Sequence, residues 1–218
     1  MTTKERRYQG GGGIRVCEKL DRCIHARACV TGLSQVFIPN APGPWINPNA
    51  ASRDAIIATI ARCPSGALNY ETTDGTPGEQ APTVNTVRIQ EDGPLEFRGD
   101  LTVQTNDGPE KGFRMTLCRC GHSKKKPFCD RSHADRKFKA TGEPGTTPSE
   151  ALVQRDGPLS ITMEKNGPLI VRGNVEVIAG SGHTVDRKSD GLRLCRCGLS
   201  DTRPYCDGSH AREGFVDE

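Results

Sequence analysis

The sequence predicts an α+β protein of three small units, in which an N-terminal unit is followed by two β-rich units that repeat one another. Three observations lead to this prediction. The composition is poor in apolar residues, stretches rich in Gly, Pro and Thr interrupt the chain twice, and its C-terminal part contains an internal repeat.

The composition limits the size of any single hydrophobic core. Apolar residues make up 33% of the 218 positions and aromatic residues 5%, and there are 25 glycines and 15 prolines. Such a chain favours small domains that need a source of stability besides apolar burial. Ten cysteines are available for this, as disulfides, as metal ligands or as both.

Charge and hydropathy argue against several classes of function. The N-terminal MTTKERRYQGGGG has no apolar segment typical of a secretory signal, and no run approaches the roughly 18 apolar residues of a membrane helix. A net charge of +3 gives no argument for nucleic-acid binding. We therefore expect a cytoplasmic protein without a membrane or nucleic-acid partner. In that reducing compartment, clustered cysteines favour metal sites over disulfides.

Two linkers set the expected domain boundaries. They are ETTDGTPGEQAPTVN (71–85) and ATGEPGTTPSEA (140–151). The units that we predict from them span residues 8–71, 86–139 and 152–216.

The N-terminal unit contains one clear helical pattern, SRDAIIATIARC. Ser52 is placed to cap this helix, Ile56 and Ile60 share one face, Cys63 extends that face, and Pro64 ends the helix.

The internal repeat begins with a β-rich segment. DGPLEFRGDLTVQ (92–104) matches NGPLIVRGNVEVI (166–178), and the alternation of apolar and polar residues predicts a hairpin in each copy, broken at Gly99 and Gly173. FRMTLC and LRLC then predict a further strand that leads directly into a cysteine motif.

The cysteine motif occurs once in each copy, as CRCGHSKKKPFCDRSH (118–133) and CRCGLSDTRPYCDGSH (195–210). Four soft or borderline ligands in one loop indicate a metal site, for which zinc, an iron–sulfur cluster and disulfides are the alternatives. The C-x-C spacing is uncommon for structural zinc, and a disulfide across one intervening residue makes a strained ring. The candidate ligands are Cys118, Cys120, Cys129 and His133 in the first copy, and Cys195, Cys197, Cys206 and His210 in the second.

The second motif is a complete CDGSH signature, and the first departs from it only at Arg131. Over residues 88–216 the chain resembles the CDGSH (NEET-type) iron–sulfur proteins. This resemblance implies one [2Fe–2S] cluster per motif, bound through three Cys and one His, on a small β fold that pairs into a two-fold unit. The two copies would then form an intramolecular pseudo-dimer, so we expect a monomer with an internal pseudo-two-fold axis.

A cluster held by three thiolates and one neutral imidazole carries a formal charge of about −1, against about −2 for four thiolates. The less negative site accepts an electron more readily. A proton also competes with iron for the imidazole nitrogen, so the histidine is the weak point of the site.

The remaining motif positions carry structural expectations. Asp130 and Asp207 are expected to cap a helix that starts at the third cysteine. Arg131 stands where the second copy has Gly208, which predicts helical φ at both positions. The serines are expected either to donate to sulfur or to serve as turn residues, and they are Ser123, Ser132, Ser200 and Ser209.

A second cysteine pattern lies in the N-terminal unit, where CIHARAC (23–29) is followed far downstream by CPSGAL (63–68). Over residues 8–71 this region resembles the divergent single-cluster ferredoxin domain, with Ala26 at the middle cysteine position. The resemblance implies that Cys23, Cys29 and Cys63 hold a [3Fe–4S] cluster, or a [4Fe–4S] cluster with Cys17 or His25 as fourth ligand. A vestigial site is the alternative.

Electron transfer, with the clusters as relay, is the predicted function, and nothing in the sequence suggests an enzyme. A cluster carrier and a redox-sensing, partner-binding module are the alternatives. The first motif and its flank (118–139) have a net charge of +6, whereas the equivalent 195–216 is neutral. We therefore expect the redox partner protein to be acidic, unless this basic face is only solvated surface.

Overall fold

The computed structural model describes residues 4–217 and is mostly β. The chain divides into two compact units between Gln80 and Ala81, inside the first predicted linker. Both copies of the repeat lie in the second unit. Within residues 4–217, no helix is both long enough and apolar enough to cross a membrane.

The first unit is built on a three-stranded antiparallel sheet with the order β1–β2–β3. Two α-helices and two short 3-10 turns, at Leu20–Arg22 and Pro48–Ala50, connect the strands. Its elements are β1 (Glu5–Gln9), β2 (Ile14–Lys19), α1 (Ala28–Gly32), α2 (Arg53–Ile60) and β3 (Leu68–Thr72).

Helix α2 confirms the predicted start and face, but it ends at Ile60, so Cys63 lies outside the helix and Pro64 does not end it. The Ser52 hydroxyl accepts a hydrogen bond from the Ala55 amide at 3.4 Å, and Ile56 and Ile60 are fully buried. These two side chains pack with Val16 and Phe37 in the core of the unit, and Cys63 lies at the edge of that core.

The second unit contains an eight-stranded sheet with the order β10–β9–β4–β5–β7–β8–β11, in which β6 also pairs with β5. One short helix overlaps the end of each cysteine motif. The elements are β4 (Thr86–Ile89), β5 (Leu95–Thr105), β6 (Gly108–Leu117), α3 (Ser132–Asp135), β7 (Pro158–Met163), β8 (Leu169–Arg172), β9 (Val175–Ile178), β10 (Thr184–Lys188), β11 (Leu192–Leu194) and α4 (Ser209–Arg212).

The predicted hairpins at Gly99 and Gly173 are wrong. In the first copy the chain runs through Gly99 as one strand, β5, with a register shift between Arg98 and Leu101. In the second copy the chain breaks at Gly173, but β8 and β9 pair with other strands. The alternating pattern identified the strands, but it could not identify their partners.

Each copy instead pairs its first strand with a strand of the other copy. Strand β4 runs parallel to β9, with Val87 opposite Val177, and β7 runs parallel to the second half of β5, with Ile161 opposite Val103. The two pairings are equivalent, because Val87 and Ile161 differ by 74 residues, as do Val103 and Val177. The two copies therefore share one sheet, and their apolar faces form one core.

Candidate metal centres

Strands deliver the first cysteine of both motifs, as the sequence predicts. Strand β6 ends one residue before Cys118, and β11 ends one residue before Cys195. The loop then folds back onto the strand end, since the amides of these cysteines donate to the carbonyls of Pro127 at 2.8 Å and Pro204 at 2.7 Å.

The four candidate ligands of each motif form two close pairs. In the first copy the sulfurs of Cys118 and Cys120 are 3.7 Å apart, and the sulfur of Cys129 lies 3.5 Å from Nδ1 of His133. The second copy repeats both pairs: Cys195 and Cys197 are 3.6 Å apart, and Cys206 and His210 3.4 Å.

These pair distances suit two ligands on one tetrahedral metal. Two sulfurs at about 2.3 Å from such a metal lie about 3.8 Å apart, and a sulfur and an imidazole nitrogen about 3.5 Å apart. In the described part of the chain, three or more potential ligand atoms lie within 4.8 Å of one another only at Glu5, Cys17 and Glu71. The four ligands of a motif therefore do not converge on one point, as a single zinc ion would require.

One shallow pocket lies at the ligand loop of the second copy. All four candidate ligands of that copy line it, together with Arg196 and Ser200. Both ligand pairs of the second copy therefore border the same pocket.

The chain stabilises one thiolate in each Cys-x-Cys pair. A hydrogen bond with Cys120, helped by the backbone amides of Ser123, Gly121 and Cys120, lowers the pKa of Cys118 although its burial opposes this. The equivalent contacts lower the pKa of Cys195. Burial lowers the pKa of His133, which keeps its imidazole neutral and able to bind a metal.

The motif aspartates shape the ligand loop. The Asp130 carboxylate accepts from the amide of Ser132 at 3.0 Å and from the amide of Lys124 at 2.8 Å, and Asp207 makes the equivalent bonds in the second copy. The predicted helix start at the third cysteine is wrong, because α3 begins three residues later, at Ser132.

The serine hydroxyls serve the loop rather than the sulfurs. Ser123 donates to the carbonyl of Phe128 at 2.6 Å, and Ser200 to that of Tyr205 at 2.7 Å. Ser132 and Ser209 donate to the motif aspartates. Of the two predicted roles, the turn role is therefore the one observed.

The prediction of helical φ at the CDGSH glycine is wrong. Gly208 has φ +85°, and Arg131 adopts the same left-handed conformation with φ +73°. A left-handed backbone is costly for a residue with a Cβ. The first copy therefore carries strain at a position where the second copy has none.

Sequence reasoning missed a buried arginine at each site. Arg119 and Arg196, the middle residues of C-R-C, have no exposed side-chain surface and stack on Phe138 and Phe215. Burial lowers the pKa of Arg119 to about 10. The sequence signal that could have identified them is that an arginine stands between the first two cysteines of both motifs.

The two ligand loops touch each other. A Cβ on Gly121 would lie 2.5 Å from the carbonyl oxygen of Cys197, and a Cβ on Gly198 would lie 2.8 Å from that of Cys120. Both glycines have positive φ, +81° and +82°. The two candidate sites thus adjoin through the residues that follow their second cysteines.

In the first unit, burial raises the pKa of the Cys29 thiol, and the nearby Cys63 and Cys23 raise it further. The three sulfurs do not all lie within 4.8 Å of one another. Cys17 has other neighbours: its buried sulfur lies with the carboxylates of Glu5 and Glu71 on the sheet. His25 is exposed. No disulfide joins any of the ten cysteines, all of which the structure describes.

Comparison with known families assigns the first unit to one family and both cysteine motifs of the second unit to another. Residues 92–134 and 166–211 each match the family described as iron-binding zinc finger, CDGSH type. Residues 8–73 match the divergent 4Fe-4S mono-cluster family. No curated protein matches the chain.

The chain is thus an iron–sulfur protein. It combines a divergent 4Fe-4S mono-cluster domain with two CDGSH-type iron-binding units, as the resemblances predicted.

Proposed function

We propose that the protein is an electron carrier with two [2Fe–2S] clusters and one [3Fe–4S] or [4Fe–4S] cluster. The paired ligand geometry, present at both CDGSH motifs, is the observation that carries this proposal. A bound cluster supplies one-electron chemistry, because one of its irons changes between Fe(III) and Fe(II).

In this proposal each ligand pair holds one iron of a [2Fe–2S] cluster. The first cluster takes Cys118 with Cys120 on one iron and Cys129 with His133 on the other. The second takes Cys195 with Cys197, and Cys206 with His210. A neutral imidazole in place of a fourth thiolate makes both sites less negative, which favours acceptance of an electron.

The shared sheet supports an intramolecular pseudo-dimer. The parallel pairs β4–β9 and β5–β7 are reciprocal in register, and the Gly121 and Gly198 loops make reciprocal contacts. One chain then provides both halves of a two-cluster unit and needs no second copy. The close approach of the ligand loops favours exchange of an electron between the two sites.

We assign the cluster of the first unit to Cys23, Cys29 and Cys63. A cluster of this kind binds one cysteine per iron, which agrees with sulfurs that do not converge within 4.8 Å. The carboxylate neighbours of Cys17 favour [3Fe–4S], with three ligands, over a [4Fe–4S] cluster bound through Cys17.

The partner in this proposal is an acidic redox protein that docks at the first CDGSH site. Lys124, Lys125, Arg136 and Lys137 are exposed around that site, and Arg131 is exposed beside its ligand Cys129. Such a basic surface accelerates encounter with an acidic partner and makes the rate depend on salt.

A cluster carrier is the second candidate, because one side of the second site is accessible. Cys206 and His210 are partly exposed, whereas Cys195 and Cys197 are buried. An acceptor protein could therefore reach one iron of this site first.

One experiment separates the two functions. The protein is purified without oxygen, cycled between dithionite and a mild oxidant, and then incubated with an apo acceptor protein. An electron carrier keeps its visible absorbance through the cycles and after the incubation. Transfer of that absorbance to the acceptor would support the carrier and contradict the relay. Cys195→Ser, which removes a ligand of the second site, is the control for the origin of the signal.

A further inference from the structure

The buried arginines of the two sites share their contacts at Nε and Nη2 but differ at Nη1, where only Arg196 donates to the sulfur of Met163, at 3.4 Å. Offsets of 74 and 77 residues relate the contacts of Arg119 to those of Arg196. Each Nε donates to a glycine carbonyl, of Gly93 at 3.0 Å and of Gly167 at 2.9 Å. Each Nη2 likewise donates to the carbonyl three residues before that glycine.

The difference lies in the groups that face Nη1. Nη1 of Arg196 forms an ion pair with the carboxylate of Asp217, whose side chain is 20% exposed. Nη1 of Arg119 donates to the carbonyl of Thr141 at 3.0 Å. The position equivalent to Asp217 in the first copy is Ala140, which is buried and offers only its carbonyl.

The acidic side chains nearest Arg119 are engaged with other groups. The Asp92 carboxylate bonds to Nζ of Lys139 and to the amide of Ala140, and Glu91 accepts from the amide of Gly142. Backbone carbonyls therefore accept the hydrogen bonds of Arg119, and the carboxylates of Glu91 and Asp92 act on it without contact, whereas a carboxylate contacts Arg196 directly.

We propose that Asp217 makes the two CDGSH sites unequal in reduction potential, by neutralising Arg196 between two ligands of the second site. This inference rests on the proposed function, because it requires a cluster at each motif. An uncompensated cation in a buried position stabilises an added electron, and a paired one does so much less. The first site is therefore reduced first, and an electron that enters at the second site is drawn towards the first.

The test is an anaerobic redox titration of the full chain, followed by electron paramagnetic resonance. Asp217→Asn keeps the shape but removes the charge, and it should raise the potential of the second site. Ala140→Asp places the acid in the first copy and should lower the potential of the first site. We expect each variant to change the ratio of reduced to oxidised cluster at its site about tenfold, which corresponds to 59 mV. Both variants should therefore reduce the difference between the reduction potentials of the two sites.

Asp190→Asn is the matched control, because it removes the same charge from an exposed position of the second copy outside the ligand loop. It should change the ratio of reduced to oxidised cluster by less than twofold at either site. If both clusters are present and neither Asp217→Asn nor Ala140→Asp moves its step beyond this control, the inference is overturned while the proposed function stands. If the chain binds no iron and sulfide, the proposed function fails as well.

Discussion

Gly121 approaches Cys197 so closely that a Cβ on the glycine would lie 2.5 Å from the cysteine carbonyl oxygen. This distance is shorter than any ordinary contact, so a side chain at position 121 would force the two ligand loops apart. The contact joins the two candidate sites, and it requires glycine for conformation as well as for space.

Gly121→Ala should therefore destabilise the second unit and loosen the ligands of both sites. We expect a loss of about 2–3 kcal/mol, from backbone strain and from the clash together. Urea unfolding gives the free energy, and visible absorbance gives the cluster content. Gly214→Ala is the control, since Gly214 has φ +63° and no atom lies within 4 Å of the place that its Cβ would take, so this variant tests strain alone. Equal losses in the two variants would show that the loop contact is unimportant.

Arg131→Gly should stabilise the second unit by about 1 kcal/mol, because glycine adopts positive φ without a steric penalty. The reverse comparison is Gly208→Ala, which introduces a Cβ at φ +85° with only Arg212 nearby and should cost about as much. Both free energies come from urea unfolding of the cluster-loaded protein. A destabilised Arg131→Gly variant would mean that the arginine side chain makes a contact worth more than the strain.

Arg119→Met should cost about 2–4 kcal/mol, because it leaves several buried carbonyls without a donor. The change keeps much of the apolar stem that packs on Phe138. Arg136→Met, at an exposed position, is the matched control and should change stability by less than about 0.5 kcal/mol. A similar small effect at both positions would show that the buried guanidinium has no structural role.

Replacing Lys124, Lys125 and Lys126 by Gln should slow reduction by an acidic redox protein and flatten the dependence of the rate on salt. We expect a several-fold lower rate at low ionic strength and convergence with the parent at high salt. Stopped-flow reduction measures both. Lys111→Gln with Lys165→Gln removes charge elsewhere and should have little effect. An unchanged salt dependence in the triple variant would show that the basic face is only solvated surface and does not dock the partner.

Cys17→Ser should keep the cluster of the first unit, whereas Cys23→Ser should lose it. Burial raises the pKa of Cys17 to about 11, so its thiol stays protonated near neutral pH and is a poor ligand and nucleophile. The raised pKa also means that this buried thiol favours the folded state up to about pH 9, and that this advantage declines as the pH rises towards 11. Iron content and the electron paramagnetic resonance signal of the first unit show whether each variant keeps the cluster. Loss of the signal in Cys17→Ser would identify Cys17 as a ligand.

The sequence alone predicted which Cys and His positions of the two motifs are equivalent, the strands that lead into the cysteines and the helix capped by Ser52. It failed at Gly99 and Gly173, because alternation identifies a strand without identifying its partner, and here the partners come from the other copy. It also failed at Arg131, where the surrounding loop imposes a left-handed conformation that arginine does not prefer. Arg119 and Arg196 were missed because a charged side chain is normally exposed, and only the fold shows the carbonyls that surround them.

Iron and acid-labile sulfide, counted per chain after purification without oxygen, decide whether the protein binds three clusters. Two [2Fe–2S] clusters and one [3Fe–4S] cluster require about seven irons and eight sulfides, and a [4Fe–4S] cluster in the first unit requires about eight irons. The Cys23→Ser variant should retain about four irons and four sulfides. A chain that contains zinc without acid-labile sulfide would contradict the assignment of clusters to all three sites.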